Sequence, residues 1–261
     1  MTDFDLEPPH LTIAVYSDRD ERQTFTQLCS VLPKLECSPT HRVEVAPAAL
    51  EFEMVSDLSG NRETITVSHE RYSQIIASLE PGLRAVRAGY SHPKYGNVVA
   101  EYEIKEGPDP HPIGASLSAG DLGFPDFLWS AEQRSAAYSM AEWTLSILKA
   151  AASACQPLYG AIGVEYSLPT PTKLADSSAV FPNNWFVSRA LLIQYPSLEE
   201  QLRTIYSDGE VTDWEEGVFC SGWAPYNSGR RTLSQPEEAA RNFAAATERA
   251  VTEFRHHSRN S

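Results

Sequence analysis

Residues 83–104 read LRAVRAGYSHPKYGNVVAEYEI, and this stretch decides the fold class. Val98, Ala100, Tyr102 and Ile104 fall on one side of an extended chain, and Val99, Glu101 and Glu103 on the other. A period of two is the mark of a half-buried strand. The turn residues His92, Pro93, Lys94, Tyr95 and Gly96 bring this segment back against Leu83 to Tyr90. Two such runs around a short turn make an antiparallel hairpin.

Further strands are expected on both sides of this hairpin. Leu11, Ile13 and Val15 alternate, and so do Leu50, Phe52 and Met54, followed by a Gly60-Asn61 turn and by Ile65 and Val67. Residues 48–67 therefore read as a second hairpin. Later strands are expected at Tyr159–Leu168, Trp185–Ile193 and Val211–Trp223. About five helices lie between and after them. The first follows Ser17 or Asp18, carries Phe25, Leu28 and Leu32, and stops at Pro33. The second starts near Ser68 and ends at Pro81-Gly82. The third opens with Ser130 and Gln133 in capping-box spacing and closes at Pro157. The fourth has Ser197 and Glu200 as its box, and the fifth has Ser234 and Glu237. Hairpins mixed with helices indicate an α+β fold, with a largely antiparallel mixed sheet covered by helices on one face. Gly160 and Gly163 are expected to let the long third helix pack closely on the strand beneath it.

The chain has 261 residues, read as a single α+β domain over 1–261. A long Pro/Gly-rich stretch at 106–129 is expected to be a loop between two halves, either a linker or a lid. Lys and Arg number 21 against 35 Asp and Glu, a net charge of −14. That balance argues against binding of nucleic acid, whose phosphates would be repelled. No run approaches the roughly 18 apolar residues of a membrane span. The acidic N-terminus lacks the basic and apolar regions of a signal peptide, so the expected compartment is cytoplasmic. Cys29, Cys37, Cys155 and Cys220 have no zinc-ligand or redox spacing and read as reduced thiols.

Strong catalytic motifs are missing from the sequence, and no metal or cofactor is expected. Were the chain an enzyme, Glu165, Asp109 and His111 would be its candidates, with Asp121, Tyr95 or Tyr102 nearby, in a pocket under the 106–129 loop. A second cluster is more suggestive. Asp208, Glu210, Asp213, Glu215 and Glu216 interleave with Trp214, Phe219 and Trp223. Carboxylates steer and pair with Lys or Arg, and aromatics anchor an interface. The same pattern also describes a twisted hairpin with solvated carboxylates and core aromatics.

From Trp143 onward the order is a long helix, Pro157-Leu158-Tyr159-Gly160-Ala161-Ile162-Gly163-Val164-Glu165, then Pro169-Thr170-Pro171-Thr172, then Asn183-Asn184-Trp185-Phe186-Val187-Ser188 and a closing helix. Over about residues 130–255 this resembles immunity proteins of bacterial polymorphic toxin systems, in particular the immunity protein 52-like group. The resemblance implies a non-enzymatic cytosolic protein that neutralises a cognate toxin domain by occluding its active surface. The toxin is expected to be basic, and the acidic–aromatic segment 208–223 is read from the residues as the docking surface.

Overall fold

Leu83–His92 and Gly96–Tyr102 pair as their alternation demands: Tyr90 faces Val98, Ala88 faces Ala100 and Arg87 faces Glu101. The computed structural model describes residues 4–49, 62–105, 107–123, 128–174, 184–206, 210–222 and 237–260. Its strands are β1 His10–Tyr16, β2 Ser38–Pro47, β3 Glu63–Thr66, β4 Leu83–His92, β5 Gly96–Tyr102, β6 Ile113–Ser118, β7 Tyr159–Val164, β8 Asn184–Ser188, β9 Glu210–Asp213 and β10 Gly217–Ser221. They form one continuous sheet of order β3-β2-β4-β5-β6-β1-β7-β8-β10-β9. The helices are α1 Glu21–Val31, α2 His69–Ile76, α3 Ala131–Cys155, α4 Pro171–Leu174, α5 Arg189–Gln194, α6 Pro196–Ile205 and α7 Glu237–Asn260. The fold is α+β.

Helices cover both faces of the sheet, not one. Leu11, Ile13 and Val15 of β1 join a core with Phe25, Leu28, Ile75, Ile147 and Leu148 of α1, α2 and α3. Ala14 and Tyr16, on the opposite face of the same strand, join a second core with Leu191, Leu202, Phe243 and Val251 of α5, α6 and α7. β7, β8 and β10 repeat this pattern: Ile162, Phe186 and Phe219 face the first core, and Tyr159, Trp185 and Val218 the second. A strand that is apolar on both sides needs a layer on each. Towards β4 and β5 the second face turns polar, with Arg87 opposite Glu101.

The local signals explain most helix ends. The Ser130 hydroxyl accepts from Gln133 N–H at 3.0 Å, and the Gln133 side chain accepts from Ser130 N–H at 3.0 Å. The predicted capping box is therefore formed, and α3 ends at Cys155 just before Pro157. Ser68 caps α2, although that helix stops at Ile76 rather than at Pro81. Asp20, not Ser17 or Asp18, caps α1. Tyr195 precedes α6 without a side-chain cap, so the Ser197–Glu200 box does not form, because Pro196 starts the helix two residues earlier. Ser234 lies outside the described residues. A Cβ at Gly160 would meet Ala14 O at 2.8 Å and Leu148 Cδ1 at 3.2 Å, so the close approach of α3 is real there, whereas Gly163 makes room for Tyr166.

Other segments depart from expectation. The 106–129 stretch is not a continuous loop: β6 lies inside it and pairs with both β5 and β1 near the middle of the sheet. β2 was not expected at all, and of the 48–67 hairpin only the second strand is described, as β3, because residues 50–61 lie outside the described set. The segment 185–193 is strand only to Ser188, whose hydroxyl then caps α5 through Leu191 N–H at 3.3 Å. Glu210–Ser221 forms the twisted hairpin that was the alternative to one strand at 211–223. The cysteines are free and buried, and burial pushes the Cys29 and Cys155 thiols up to about 12. Among the described residues no helix is long and apolar enough to cross a membrane.

Candidate docking site

The β9–β10 hairpin presents two carboxylates at its tip. Trp214 N–H bonds Gly217 O at 2.8 Å, leaving Glu215 and Glu216 as the turn. Gly217 is required here, since a Cβ would come within 2.1 Å of Val187 O. Arg189 clamps the hairpin from α5: its N–H bonds Glu216 O at 2.7 Å and its Nη2 bonds Trp214 O at 3.0 Å. The turn is thus held by backbone bonds, and its side chains are left for other work.

Trp214 is not an exposed anchor. It is 8% exposed, stacked on Phe219 at 5.0 Å and on Phe186 at 5.6 Å. Lys149 Nζ stands 5.9 Å from its ring centroid. Asp213 is occupied by Arg203 at 3.4 Å and Arg189 at 3.6 Å. Glu210 sits at the start of edge strand β9 and accepts from the Thr212 hydroxyl at 3.4 Å. Asp208 and Trp223 lie outside the described residues. Of the predicted docking residues, Glu215 and Glu216 remain available.

These two line a pocket of about 630 Å³ that the sequence did not announce. Asp18 and Arg19 reach it from the end of β1, Gln156 from the end of α3, and Phe254 from α7, with Phe186 behind. Gln156 adopts a left-handed backbone (φ 47) that closes α3 and points the chain into Leu158. Arg19 is bonded to the Gln156 side-chain oxygen. Among the described residues, Asp18, Glu215 and Glu216 have no cationic partner within ion-pair distance, and Glu216 Oε2 is buried without a hydrogen bond. The pocket therefore has mixed polar and apolar walls, three carboxylates outside ion-pair distance of a described cation, and one cation, Arg19, held by Gln156. A side chain with an apolar stem and a cationic head matches it. Its sequence signal is the Glu215-Glu216 pair of the acidic–aromatic cluster; Asp18 reads only as a helix start.

The three catalytic candidates are not brought together. His111 belongs to a buried cluster: its Nδ1 and its backbone N–H each lie 2.7 Å from Glu21 Oε1, and Arg84 donates to Glu21 Oε2 at 2.6 Å. Burial alone would raise the Glu21 carboxyl, but bonds from His111 and Arg84 outweigh it and hold it at about 2. Asp109 accepts from Arg255 at 3.0 Å and from Thr172 N–H at 2.8 Å, tying α4 and α7 to the end of β5. Burial opposes its ionised form, yet these bonds lower its carboxyl below the usual range. Glu165 stands at the other end of β1, where it accepts from His10 N–H at 2.6 Å. Its positive φ of 48 belongs to the turn that ends β7. Six residue steps, about 20 Å, separate the two ends of β1. Each candidate is thus a structural tie. Tyr102 lies under Arg84, 4.6 Å from its guanidinium, and Tyr95 stacks on His92 and Trp143, far apart in the sheet. Asp121 is in a short 3-10 turn. Among the described residues no three His, Cys, Asp or Glu side chains gather as a metal site.

No protein-family model matches the chain, and no curated protein is similar to it. A solved structure of a Pseudomonas aeruginosa T6SS protein, PA0821, is similar at 12% identity, covering 93% of this chain and 72% of that one, with a TM-score of 0.43.

Proposed function

We propose that this chain is an immunity-type binding protein that neutralises a cognate basic toxin domain by occluding its active surface. The observation that carries this reading is the pocket lined by Asp18, Glu215 and Glu216, three carboxylates without a cationic partner within ion-pair distance among the described residues, in a chain of net charge −14. Everywhere around it carboxylates are spent on structure: Asp213 on two arginines, Asp109 on Arg255, Glu21 on Arg84. Carboxylates held by a rigid hairpin and left unpaired repel one another, and a cationic partner relieves that repulsion. A toxin acting on nucleic acid displays a basic groove of the required sign. Expected compartment and partner follow from this reading: a cytoplasmic protein meeting a basic protein, with no direct nucleic-acid or membrane contact.

The enzyme alternative draws less support, since Glu165 lies by His10 at one end of β1 while Asp109 and His111 are bonded to Arg255 and Glu21.

The test is a pull-down with the tagged chain from its native host lysate, at low and at high salt, beside the variant carrying Asp18→Asn, Glu215→Gln and Glu216→Gln. A basic toxin domain recovered at low salt by the parent and lost by the variant supports the proposal. Recovery of no basic partner, or equal recovery by the variant, contradicts it.

A further inference from the structure

The second face of the sheet carries a polar row that the docking site does not use. Arg62 donates to Glu44 at 3.1 Å, and Arg87 lies 3.7 Å from Glu44 and donates to Glu101 at 2.9 Å. Ser116 donates to Glu101 at 2.7 Å and stands 3.3 Å from the Thr12 hydroxyl. This chain of contacts crosses β2, β4, β5, β6 and β1. It floors two adjoining depressions of about 520 and 380 Å³, which share Thr12, Arg87, Glu101, Ser116, Tyr166 and Ser167. Phe4 to Leu6 form one wall and Glu165 to Ser167 the other. The size is within the range of small-molecule sites, about 300–1,000 Å³.

Two properties define what fits. First, the groove's cations are already matched. Arg62 has Glu44, Arg87 has Glu101 and Lys105 has Glu103 at 3.6 Å, while His10 stands 3.5 Å from Glu165. An anionic ligand would enter without a free counter-charge, at a desolvation cost. Second, hydrogen-bonding capacity is left over. The Glu103 side chain is 7% exposed, and its Oε1 has no hydrogen bond. The Tyr166 hydroxyl and Arg62 Nε, on residues lining the same groove, are also buried without partners. Buried polar atoms left unsatisfied are costly and rare. These three need both acceptors and donors, and a hydroxyl is each at once. The Tyr166 and Phe4 rings add flat apolar surface beside the polar floor.

We propose that this groove binds a small neutral polyhydroxylated ligand, a saccharide of one or two rings. The ligand's hydroxyls complete the bonds of Tyr166, Glu103 and Arg62, while the Arg87–Glu101 pair and Ser116 orient it. Burial raises the Glu103 carboxyl to about 7, against the opposing pull of Lys105, the Ser167 hydroxyl and Leu168 N–H on its Oε2.

The experiment is saturation-transfer NMR with maltose, cellobiose and N,N′-diacetylchitobiose at millimolar concentration, with phosphate and arginine amide as charged competitors. Tyr166→Phe removes only an unpartnered hydroxyl and should not lower the melting temperature; Ser116→Ala is the second variant. The expected result is transfer to at least one disaccharide, weakened about tenfold in either variant, the equivalent of one hydrogen bond, and not displaced by the charged competitors. Transfer to none of the three, transfer equal in both variants, or displacement by phosphate or arginine amide overturns the proposal.

Discussion

Glu21→Gln should destabilise the fold by about 3 kcal/mol at neutral pH, and the deficit should vanish in acid. Glu21 stands in the first turn of α1, its side chain 22% exposed, and receives Arg84 at 2.6 Å and His111 at 2.7 Å. Its carboxyl is held at about 2 against an ordinary 4.5. At about 1.4 kcal/mol for each pH unit, that gap corresponds to roughly 3 kcal/mol in favour of the folded, ionised form. The sign follows from the direction: a carboxyl depressed on folding contributes fully above pH 4.5, and the contribution is lost as pH falls from 4.5 through 2. Glutamine keeps the shape but leaves the guanidinium of Arg84, 10% exposed, without that charge. Urea unfolding of parent and variant at intervals between pH 7 and pH 2 reads the effect. The two stabilities should differ by about 3 kcal/mol at pH 7 and converge near pH 2. A difference that stays constant with pH, or one below about 1 kcal/mol at neutrality, refutes the assignment of Glu21 as a buried charge tie.

Glu103→Gln should act in the opposite sense: its carboxyl is raised to about 7, so the stability it contributes is present below 4.5 and lost as pH rises through 7. The variant should be more stable than the parent by about 3 kcal/mol at pH 8 and equal to it near pH 4, checked by urea unfolding at both. Trp214→Ala should cost about 3–5 kcal/mol and lower the melting temperature by roughly 6–20 °C, because Trp214 is buried and stacked on Phe186 and Phe219. Calorimetry showing an unchanged melting temperature would return Trp214 to the docking surface. Gly217→Ala should cost about 2 kcal/mol or more, since its Cβ would overlap Val187 O, and chemical denaturation reads this directly.

The hairpin of β4 and β5 was legible because its alternation is clean and its turn short. The α3 boundaries were legible because a capping box and a proline mark them. β6 was not, since Gly114 and Ser116 face the polar side of the sheet and erase the apolar contrast of Ile113, Ala115 and Leu117. β2 was hidden by Pro39, by His41 with a positive φ of 61, and by two register shifts against β4. α5 looked like strand because Leu191, Leu192 and Ile193 continue an apolar run; only Ser188, acting as a cap, divides it. At the docking site, Glu215 and Glu216 were visible as carboxylates but not as the free ones. Which acidic residues are spent on arginines is decided by neighbours distant in sequence, as Arg203 is to Asp213. Asp18 and Phe254 meet at the pocket from opposite ends of the chain, a contact no local pattern carries.

The uncompensated pocket is tested most directly by kinetics on the purified partner. Association of the basic toxin domain with the parent chain and with the Asp18→Asn, Glu215→Gln, Glu216→Gln variant should be followed by biolayer interferometry at low and high salt. The parent should bind with an on-rate that falls steeply with salt, and the variant about tenfold or more weaker at low salt with a flatter salt response. Equal affinities and equal salt slopes for the two chains would place the interface elsewhere and contradict the pocket as its centre.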